Sequence, residues 1–329
     1  MTELVKKLIK THSVSGRETG IAEVIKEEIK DFCDEVYTDS LGNLYAHKKG
    51  SGKKIMFAAH MDEIGFFATY IEENGFIRVS PVGGVNLSSA AYTQVVFESG
   101  VSGVLVLEEN SKAEDMSKAE KYYIDIGTKS RRQSEKKVSL GDFAVVKGDF
   151  THLYGKRYAG RPFDNRIGCA VLISAAKEIK ESENDLYFVF TAQEEVGCRG
   201  ALPAAFTLEP DYAVAVDVTK TGDTPGAKCM EVKLGDGAAI KVRDSSAICD
   251  RHLVRLMCEA AEKNKIPYQL EILEKGGTDT GAMQRSGKGA AAGAISVPAR
   301  YIHTSVETVD LSDAEACKRL VCALCSLKL

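Results

Sequence analysis

The sequence predicts an α/β protein in which helices flank a mixed central sheet and a small β-barrel-like domain interrupts the chain. Uniformly apolar runs such as residues 186–190 alternate with helical patterns in both terminal parts, which is typical of strands buried on both faces. From residue 65 to residue 155 the segments become short, β-rich and separated by Gly, Asn and Ser. We therefore assign residues 1–64 and 156–329 to one α/β domain and residues 65–155 to an inserted β domain.

In the first part of the α/β domain, two helical patterns are followed by short β-rich runs. The last of these runs is apolar throughout and ends at His60. The expected elements are helices over residues 2–11 and 18–32 and strands over residues 35–38, 43–46 and 54–59.

The inserted domain is expected to be a small all-β unit or barrel because its strands are short and its turn signals are regular. Residues 110–121 are charged and are interpreted as a surface loop or helix, and Gly141-Asp142 as a turn between strands. The expected strands cover residues 66–71, 75–80, 92–98 and 101–107.

The second part of the α/β domain resumes the alternation of helices and strands. Asp164 precedes a long helical pattern, and the glycine-rich turn 276–281 opens a short helix. Gly276, Gly277 and Thr278 are interpreted as backbone close to a ligand, with a simple helix-opening turn as the alternative. The expected elements are helices over residues 165–180 and 250–264 and from Ser312 onwards, and strands over residues 186–192, 211–217, 268–273 and 292–297.

The composition excludes several classes of function. The net charge of −4 gives no electrostatic basis for binding nucleic acid or an anionic membrane surface. No apolar run approaches the roughly 18 residues that a membrane-spanning helix needs. The first residues read as an amphipathic helix without a signal-peptide cleavage site, and nine cysteines among apolar neighbours suggest reduced, buried thiols. We therefore expect a cytoplasmic protein with no nucleic-acid or membrane partner.

Metal-ligand side chains stand where the expected strands end or the expected helices begin. Open α/β sheets bind their ligands outside the carboxyl ends of the strands. Two imidazoles with several carboxylates and no thiolate suit zinc, cobalt or manganese. The candidate residues are His60, Asp62, Asp164, Glu194, Glu195, Asp217 and His303.

Each candidate, taken singly, also has an ordinary structural explanation. It is improbable that such explanations account for all of the candidates at once. Asp164 could be a helix N-cap, Asp217 could end its strand in a turn, and either histidine could be a satisfied buried side chain. Five ligands are too many for one closed zinc site but suit two metals that share a bridging carboxylate. Of the adjacent pair Glu194 and Glu195, one can bind metal while the other acts as general base.

Six ordered stretches resemble those of the tetrahedral, or deblocking, aminopeptidases, a family of co-catalytic dinuclear metallopeptidases. That family includes glutamyl and leucyl aminopeptidases, and some members carry endoglucanase labels. The resemblance runs from the first helix to the last. The stretches are AHMDEIG at 59–65, FDNRIG at 163–168, QEEVG at 193–197, AVDVT at 215–219, GGTD at 276–279 and RYIH at 300–303.

Carried over residue by residue, the resemblance implies a complete site. Asp164 would bridge two divalent ions, zinc or cobalt in the first place and manganese as a further option. His60 and Asp217 would complete one metal site, and Glu195 and His303 the other. Glu194 would be the general base and Asp62 would brace His60. The resemblance also implies a zinc-aminopeptidase-like fold, peptide substrates with a free N-terminus, and a homo-oligomer, specifically a tetrahedral dodecamer.

The chain departs from the family pattern in places that concern the pocket and the subunit contacts. It is short for the family, the loop Val82–Ala90 lacks an expected aromatic residue and proline, and Ser305 stands where proline is common.

Other classes of function fit the sequence less well. A dehydrogenase would need its glycine-rich turn after a strand, whereas residues 287–293 lead into one. A metal-free glycosidase needs two carboxyl groups that face each other across the glycosidic bond, whereas Glu194 and Glu195 are neighbours in the chain. A serine hydrolase needs a Gly-x-Ser-x-Gly elbow, and the sequence has none. A metal-stabilised binding protein, a glucanase and above all a metallo-deacylase with the same two-metal site stay open as alternatives.

Overall fold

A computed structural model describes residues 1–327 of the chain and contains α-helices, β-strands and three short 3₁₀ helices, at Lys30–Phe32, Ala113–Asp115 and Ala119–Lys121. The α-helices are α1 Thr2–Ile9, α2 Thr19–Ile29, α3 Leu87–Ala90, α4 Arg131–Ser134, α5 Arg166–Glu178, α6 Ala201–Leu208, α7 Arg251–Lys263, α8 Asp279–Gln284 and α9 Leu311–Cys325. The strands are β1 Glu35–Thr38, β2 Leu44–Lys48, β3 Lys54–His60, β4 Gly65–Ile71, β5 Ile77–Val82, β6 Gln94–Phe97, β7 Ser102–Leu107, β8 Tyr122–Asp125, β9 Phe143–Val146, β10 Thr151–His152, β11 Arg157–Gly160, β12 Asp185–Thr191, β13 Tyr212–Thr219, β14 Ala238–Arg243, β15 Tyr268–Ile272, β16 Ala291–Arg300 and β17 Glu307–Asp310.

A mixed sheet forms the centre of the molecule, which confirms the predicted fold class. Its strands run in the order β1-β2-β12-β3-β13-β16-β17-β11-β10, and β14 joins through β16 with β15 beside it. The four central strands β12, β3, β13 and β16 are parallel neighbours. Because neighbouring parallel strands share one direction, their carboxyl ends meet at one edge of the sheet.

Helices cover both faces of this sheet because alternate side chains of each strand point to opposite sides. On one face, Phe57 and Phe188 pack in a core with α1, α2, α5, α7 and α9. On the other face, Met56 and Val189 pack with helices α6 and α8. Strands covered in this way are apolar throughout, which explains why their runs were recognisable in the sequence.

Strands β4 to β9 close into a barrel in the order β4-β5-β8-β7-β6-β9, with β9 pairing back onto β4. The barrel lies in the chain between β3 and β10 and has its own core, which includes Phe66, Phe97 and Tyr122. Closure leaves no free strand edge, so this small unit needs no further sheet for support.

Several short elements were missed in the sequence. The elements that lie outside the predictions are strands β8, β10, β11, β14 and β17 and helices α3, α4 and α6, none of which carries a long apolar run or a long helical pattern. The strand predicted over residues 92–98 is limited to β6, since Tyr92 has a φ of 61°, outside the β region.

Within residues 1–327, no helix combines the length and the apolar content that crossing a bilayer requires. The nine cysteines are all free, and Cys325 is buried on α9 as part of the core.

Candidate metal centre

The structure brings the predicted residues together at the carboxyl edge of the central sheet. His60 is the last residue of β3, and Asp217 lies near the end of β13. His60 pairs in register with Thr191, the last residue of β12, and the chain then turns into the Glu194-Glu195 pair. The remaining candidate ligands lie on the two sides of this edge, with Asp164 just before α5 and His303 just after β16.

Asp164 occupies the middle of the cluster and divides its two carboxylate oxygens between the two histidines. Its Oδ1 lies 3.2 Å from Nε2 of His60, and its Oδ2 lies 3.1 Å from Nε2 of His303. Asp164 is not the N-cap of α5, because the side chain of the next residue, Asn165, accepts the capping hydrogen bond from Gly168. Its carboxylate is therefore not used in capping and is available to bridge.

One further carboxylate stands beside each histidine. Asp217 Oδ1 lies 3.6 Å from Nε2 of His60, and Glu195 Oε1 lies 3.2 Å from Nε2 of His303. The result is two sets of nitrogen and oxygen donors that share Asp164. One set adds His60 and Asp217, and the other adds His303 and Glu195. These donors are of the type that zinc, cobalt and manganese accept, so the residues present fit a pair of divalent ions.

Both histidines are oriented by main-chain carbonyl groups. Nδ1 of His60 lies 3.0 Å from the carbonyl oxygen of Asp62, and Nδ1 of His303 lies 3.0 Å from that of Gly84. An N–H at Nδ1 leaves Nε2 as the ligand atom in both rings. The contact of His60 differs in one detail from the expected brace, because the Asp62 carboxylate is farther from the ring, at 3.5 Å.

The carboxylate of Asp62 instead positions the Glu194-Glu195 pair. It accepts main-chain N–H bonds from Glu194 at 3.0 Å and from Glu195 at 3.1 Å, and a hydroxyl bond from Ser15 at 2.6 Å. Asp62 is fully buried, so these donors replace the water that its charge has lost. These two main-chain hydrogen bonds to Asp62 fix the backbone of both glutamates.

Glu307 has the corresponding role on the other side of the site and was missed in the sequence. It accepts N–H bonds from Phe163 at 2.7 Å, from Asp164 at 3.0 Å and from His303 at 3.1 Å. The only signal in the sequence was an acidic residue four positions after His303, which does not distinguish a brace from a solvated side chain. Burial raises the pKa of Glu307 to about 7, although Arg161 opposes the shift.

The electrostatics of the cluster reflect opposed charges in a buried space. Burial alone would raise the pKa of Asp164, but hydrogen bonds from His303 and His60 outweigh it and hold that pKa well below its usual range. Burial alone would lower the pKa of His303, whereas Asp164 and Glu195 raise it to about 11. The pKa of His60 is also raised well above its usual value, because Asp164 and Asp217 outweigh the effect of burial.

Glu194 faces the same pocket without being in either donor set. Burial raises its pKa well above the usual value; His60 opposes this shift, and the negative charges of Asp217 and Glu195 add to it. A carboxyl group with a raised pKa in a cleft is suited to general acid–base chemistry near neutral pH.

A cavity of about 400 Å³ opens in front of the cluster. Gly276 and Gly277 form part of its wall, as the sequence suggested, while Thr278 caps α8. Lys220 and Lys275 also line it. The barrel loop reaches the same place, because a Cβ atom at Gly83 would lie 3.0 Å from Cβ of Glu195.

Comparison with known families gives a match to the M42 glutamyl aminopeptidase model over residues 42–320. A candidate aminopeptidase of Acetivibrio thermocellus is 52% identical, with 99% of this chain and 98% of the relative aligned. The lysyl aminopeptidase of Pyrococcus furiosus is 36% identical, with 98% and 96% aligned.

Solved structures give the same result. The aminopeptidase APDkam598 of Desulfurococcus kamchatkensis has a TM-score of 0.95 at 38% identity, covering 98% of this chain and 94% of its own. The TET1 peptidase of Pyrococcus horikoshii, which can assemble into a tetrahedron or a large octahedral shell, has a TM-score of 0.89 at 37% identity, with 99% of each chain covered. An endoglucanase of Thermotoga maritima has a TM-score of 0.83 at 33% identity, with 98% and 96% covered.

Proposed function

The chain belongs to the M42 glutamyl aminopeptidase family, and from this premise we propose that it is a dinuclear metallo-aminopeptidase with Glu194 as its general base. The observation that carries the proposal is the position of Asp164, whose two oxygens face two separate histidine–carboxylate sets at 3.2 and 3.1 Å. A structural ion pair would need only one such set, whereas two divalent ions need both.

In this proposal one divalent ion would be held by His60, Asp217 and Asp164, and the second would be held by His303, Glu195 and Asp164. Zinc or cobalt suits these donors best, and manganese is also compatible with them. When bound, such ions supply Lewis-acid polarisation of the scissile carbonyl and an acidified water.

Glu194 is the residue that moves the proton. Its carboxylate takes a proton from the attacking water and returns it to the leaving amine. The raised pKa of Glu194 supports this role, because the protonated form must be accessible after the first transfer. Asp62 holds Glu194 in position for this role, because its carboxylate accepts a 3.0 Å hydrogen bond from the Glu194 main-chain N–H.

The pocket also supports a preference for free N-termini. The free α-amino group of a peptide would bind one of the ions or a nearby carboxylate of the cavity, which would make the enzyme act from the N-terminus. Gly276 and Gly277 let the substrate backbone approach the wall closely, since neither residue has a side chain.

The same proposal includes the assembly and the location of the protein. The tetrahedron into which the TET1 peptidase of Pyrococcus horikoshii can assemble supports a homo-oligomer, specifically a tetrahedral dodecamer. Nine free cysteines support a cytoplasmic location, where thiols stay reduced.

The test is hydrolysis of a panel of aminoacyl-p-nitroanilides by chelator-stripped protein, before and after zinc or cobalt is added. We expect activity only after reloading and only on free N-termini, and Glu194→Gln should keep both ions while losing about 10²–10⁴-fold in kcat. Release of acetate from an N-acetylated substrate, without cleavage of the free p-nitroanilides, would make the protein a deacylase, and cleavage of a cellulose-type oligosaccharide alone would make it a glucanase. A Glu194→Gln variant with near wild-type turnover would reject Glu194 as the base.

A further inference from the structure

A second group of possible metal ligands lies beside the proposed metal centre. Of the residues proposed above as metal ligands or general base, it includes only Glu194. Glu194, Cys198 and Asp279 each offer one ligand atom, and these atoms lie within 4.8 Å of one another. The Sγ atom of Cys198 is 3.3 Å from Oε1 of Glu194. A sulfur–oxygen separation of this size is close to the edge of a tetrahedral zinc site with ligands at about 2.3 and 2.0 Å.

Asp279 supplies an independent sign that a ligand is missing. The residue is 2% exposed, and its Oδ2 accepts a 2.6 Å hydrogen bond from the Thr191 hydroxyl. Its other oxygen, Oδ1, is buried and has no hydrogen-bond partner within residues 1–327. An unsatisfied buried carboxylate oxygen is costly, and a bound cation would satisfy it.

The local backbone holds these groups in place. After Glu194 the chain turns back, because the main-chain N–H groups of Gly197 and Cys198 donate to the Glu194 carbonyl at 2.9 and 2.8 Å. The turn brings the Cys198 thiol beside the Glu194 carboxyl group, and Cys198 lines the open cavity. Asp279 is fixed separately as the first residue of α8. The three groups therefore converge from two separately fixed segments, with their ligand atoms within 4.8 Å of one another.

We propose that Glu194, Cys198 and Asp279 form an inhibitory binding site for a thiophilic divalent cation, of which zinc and cadmium are the appropriate probes. Binding displaces to solvent the thiol proton of Cys198 and any proton held by the carboxyl groups of Glu194 and Asp279, and it places two carboxylates and one thiolate around the ion. The thiolate favours zinc and cadmium over magnesium, calcium and manganese, which prefer oxygen ligands.

Inhibition follows because the ion occupies the carboxylate that must accept a proton from water. This consequence rests on the proposed role of Glu194 as general base, whereas the cation site itself does not. Excess zinc should therefore inhibit enzyme that already carries its full complement of ions. Excess manganese or magnesium should leave the rate unchanged.

Equilibrium dialysis against cadmium or zinc, with the bound metal counted per chain, tests the site without any peptidase assay. The wild-type protein should bind one more ion at saturation than Cys198→Ala or Asp279→Asn. Cys33→Ala removes another partly buried thiol outside the cavity and should bind as the wild type does. Cadmium should also give a thiolate charge-transfer band that Cys198→Ala lacks and Cys33→Ala keeps. Equal stoichiometry and equal bands in all four proteins would overturn the site.

Inhibition is measured on zinc-loaded enzyme as zinc is raised, with each variant compared with its own uninhibited rate. We expect Cys198→Ala to need at least about 10-fold more zinc for half inhibition, since loss of even an indirect ligand contact costs 10–100-fold in metal affinity. A wild-type protein that binds the extra ion but keeps its full rate would reject the inhibitory role. If no peptide is cleaved under any condition, the proposed function fails, and dialysis still decides the cation site.

Discussion

The two halves of the proposed metal centre are built in different ways. The strand half consists of His60 and Asp217, which belong to β3 and β13. The loop half consists of Glu195 and His303, which follow β12 and β16 in irregular segments. The His60 side chain is 2% exposed and that of His303 is 28% exposed, and His303 has a φ of 66°, in the left-handed region. Parallel strands fix the first half directly, whereas the second half requires supporting contacts.

Those supporting contacts come from distant parts of the chain. Glu307 accepts the main-chain N–H of His303, and the Gly84 carbonyl from the barrel faces its ring. Gly83 packs against Glu195 in a space that a larger residue would fill. The inserted barrel therefore contributes to the loop half and makes no comparable contact with the strand half among the described residues. The difference implies that the loop half is the more easily disturbed of the two.

Removal of Asp164 should abolish the distinction between the halves, because its two oxygens serve both. We expect Asp164→Ala to lose both ions and at least about 10³-fold of the activity, which corresponds to several kcal/mol of electrostatic stabilisation. Metal content per chain after dialysis, with kcat/KM on the best p-nitroanilide, measures the effect. The exposed Asp149→Ala serves as the matched control. Retention of one full equivalent of metal by Asp164→Ala would show that the halves do not share this residue.

Glu307→Gln should weaken metal binding in the loop half more than in the strand half. The amide keeps one acceptor oxygen but replaces the other with a donor that faces main-chain N–H groups, so His303 loses its support. We expect the ion in the loop half to lose about 10–100-fold in affinity, as is usual when a group behind a ligand is changed, while the ion in the strand half changes little. Stepwise metal titration by calorimetry resolves the two events.

The control for Glu307→Gln is Glu315→Gln, at a glutamate on α9 that pairs with Lys318. Equal weakening of both binding steps would mean that Glu307 acts on the whole site through Asp164, whose N–H it also accepts.

The same contrast explains what the sequence could and could not predict. The strand half was predictable because apolar runs locate buried strands, and ligands at their carboxyl ends must converge. The contact between Gly84 and His303 joins residues 219 positions apart, and no local pattern encodes such a pairing. Glu307 stands in β17, a four-residue strand without an apolar run that would mark it in the sequence. Asp62 was identified as a brace, but which of its oxygens faces His60 depends on backbone geometry that only the structure gives.

Metal binding should release protons, since both histidines hold theirs strongly in the metal-free protein. The pKa of His303 is raised to about 11 and that of His60 well above its usual value, so both rings are charged at neutral pH. A ligand imidazole must be neutral, so binding expels about one proton per ring. The apparent affinity of each half should therefore rise with pH, by about 10-fold per unit for each proton released, and fall in acid.

Calorimetry in buffers of different ionisation enthalpy counts the protons released in each binding step. Release confined to one step would show that only one histidine binds metal.

The smallest expected effect concerns which substrate side chain is preferred at the N-terminus. Of the two lysines that line the cavity, one follows a strand and the other lies in a loop. Lys220 directly follows β13, and Lys275 precedes the glycine-rich turn. Neither ammonium group has a carboxylate partner within residues 1–327, so both can attract an acidic side chain at the substrate N-terminus. We expect a preference for glutamyl over lysyl p-nitroanilides of several fold, expressed in KM, because exposed charge pairs contribute about 0.2–1 kcal/mol each.

Lys220→Ala should reduce this preference more than Lys275→Ala, because a lysine at a strand end is held more firmly than one in a loop. The exposed Lys233→Ala, outside the cavity, should leave the preference unchanged. High salt should weaken the preference in the wild type and have little effect in the double variant, since exposed charges are screened over about 8–10 Å. A preference for lysyl substrates, as in the Pyrococcus furiosus relative, would mean that the carboxylates of the site determine specificity and that the two lysines do not.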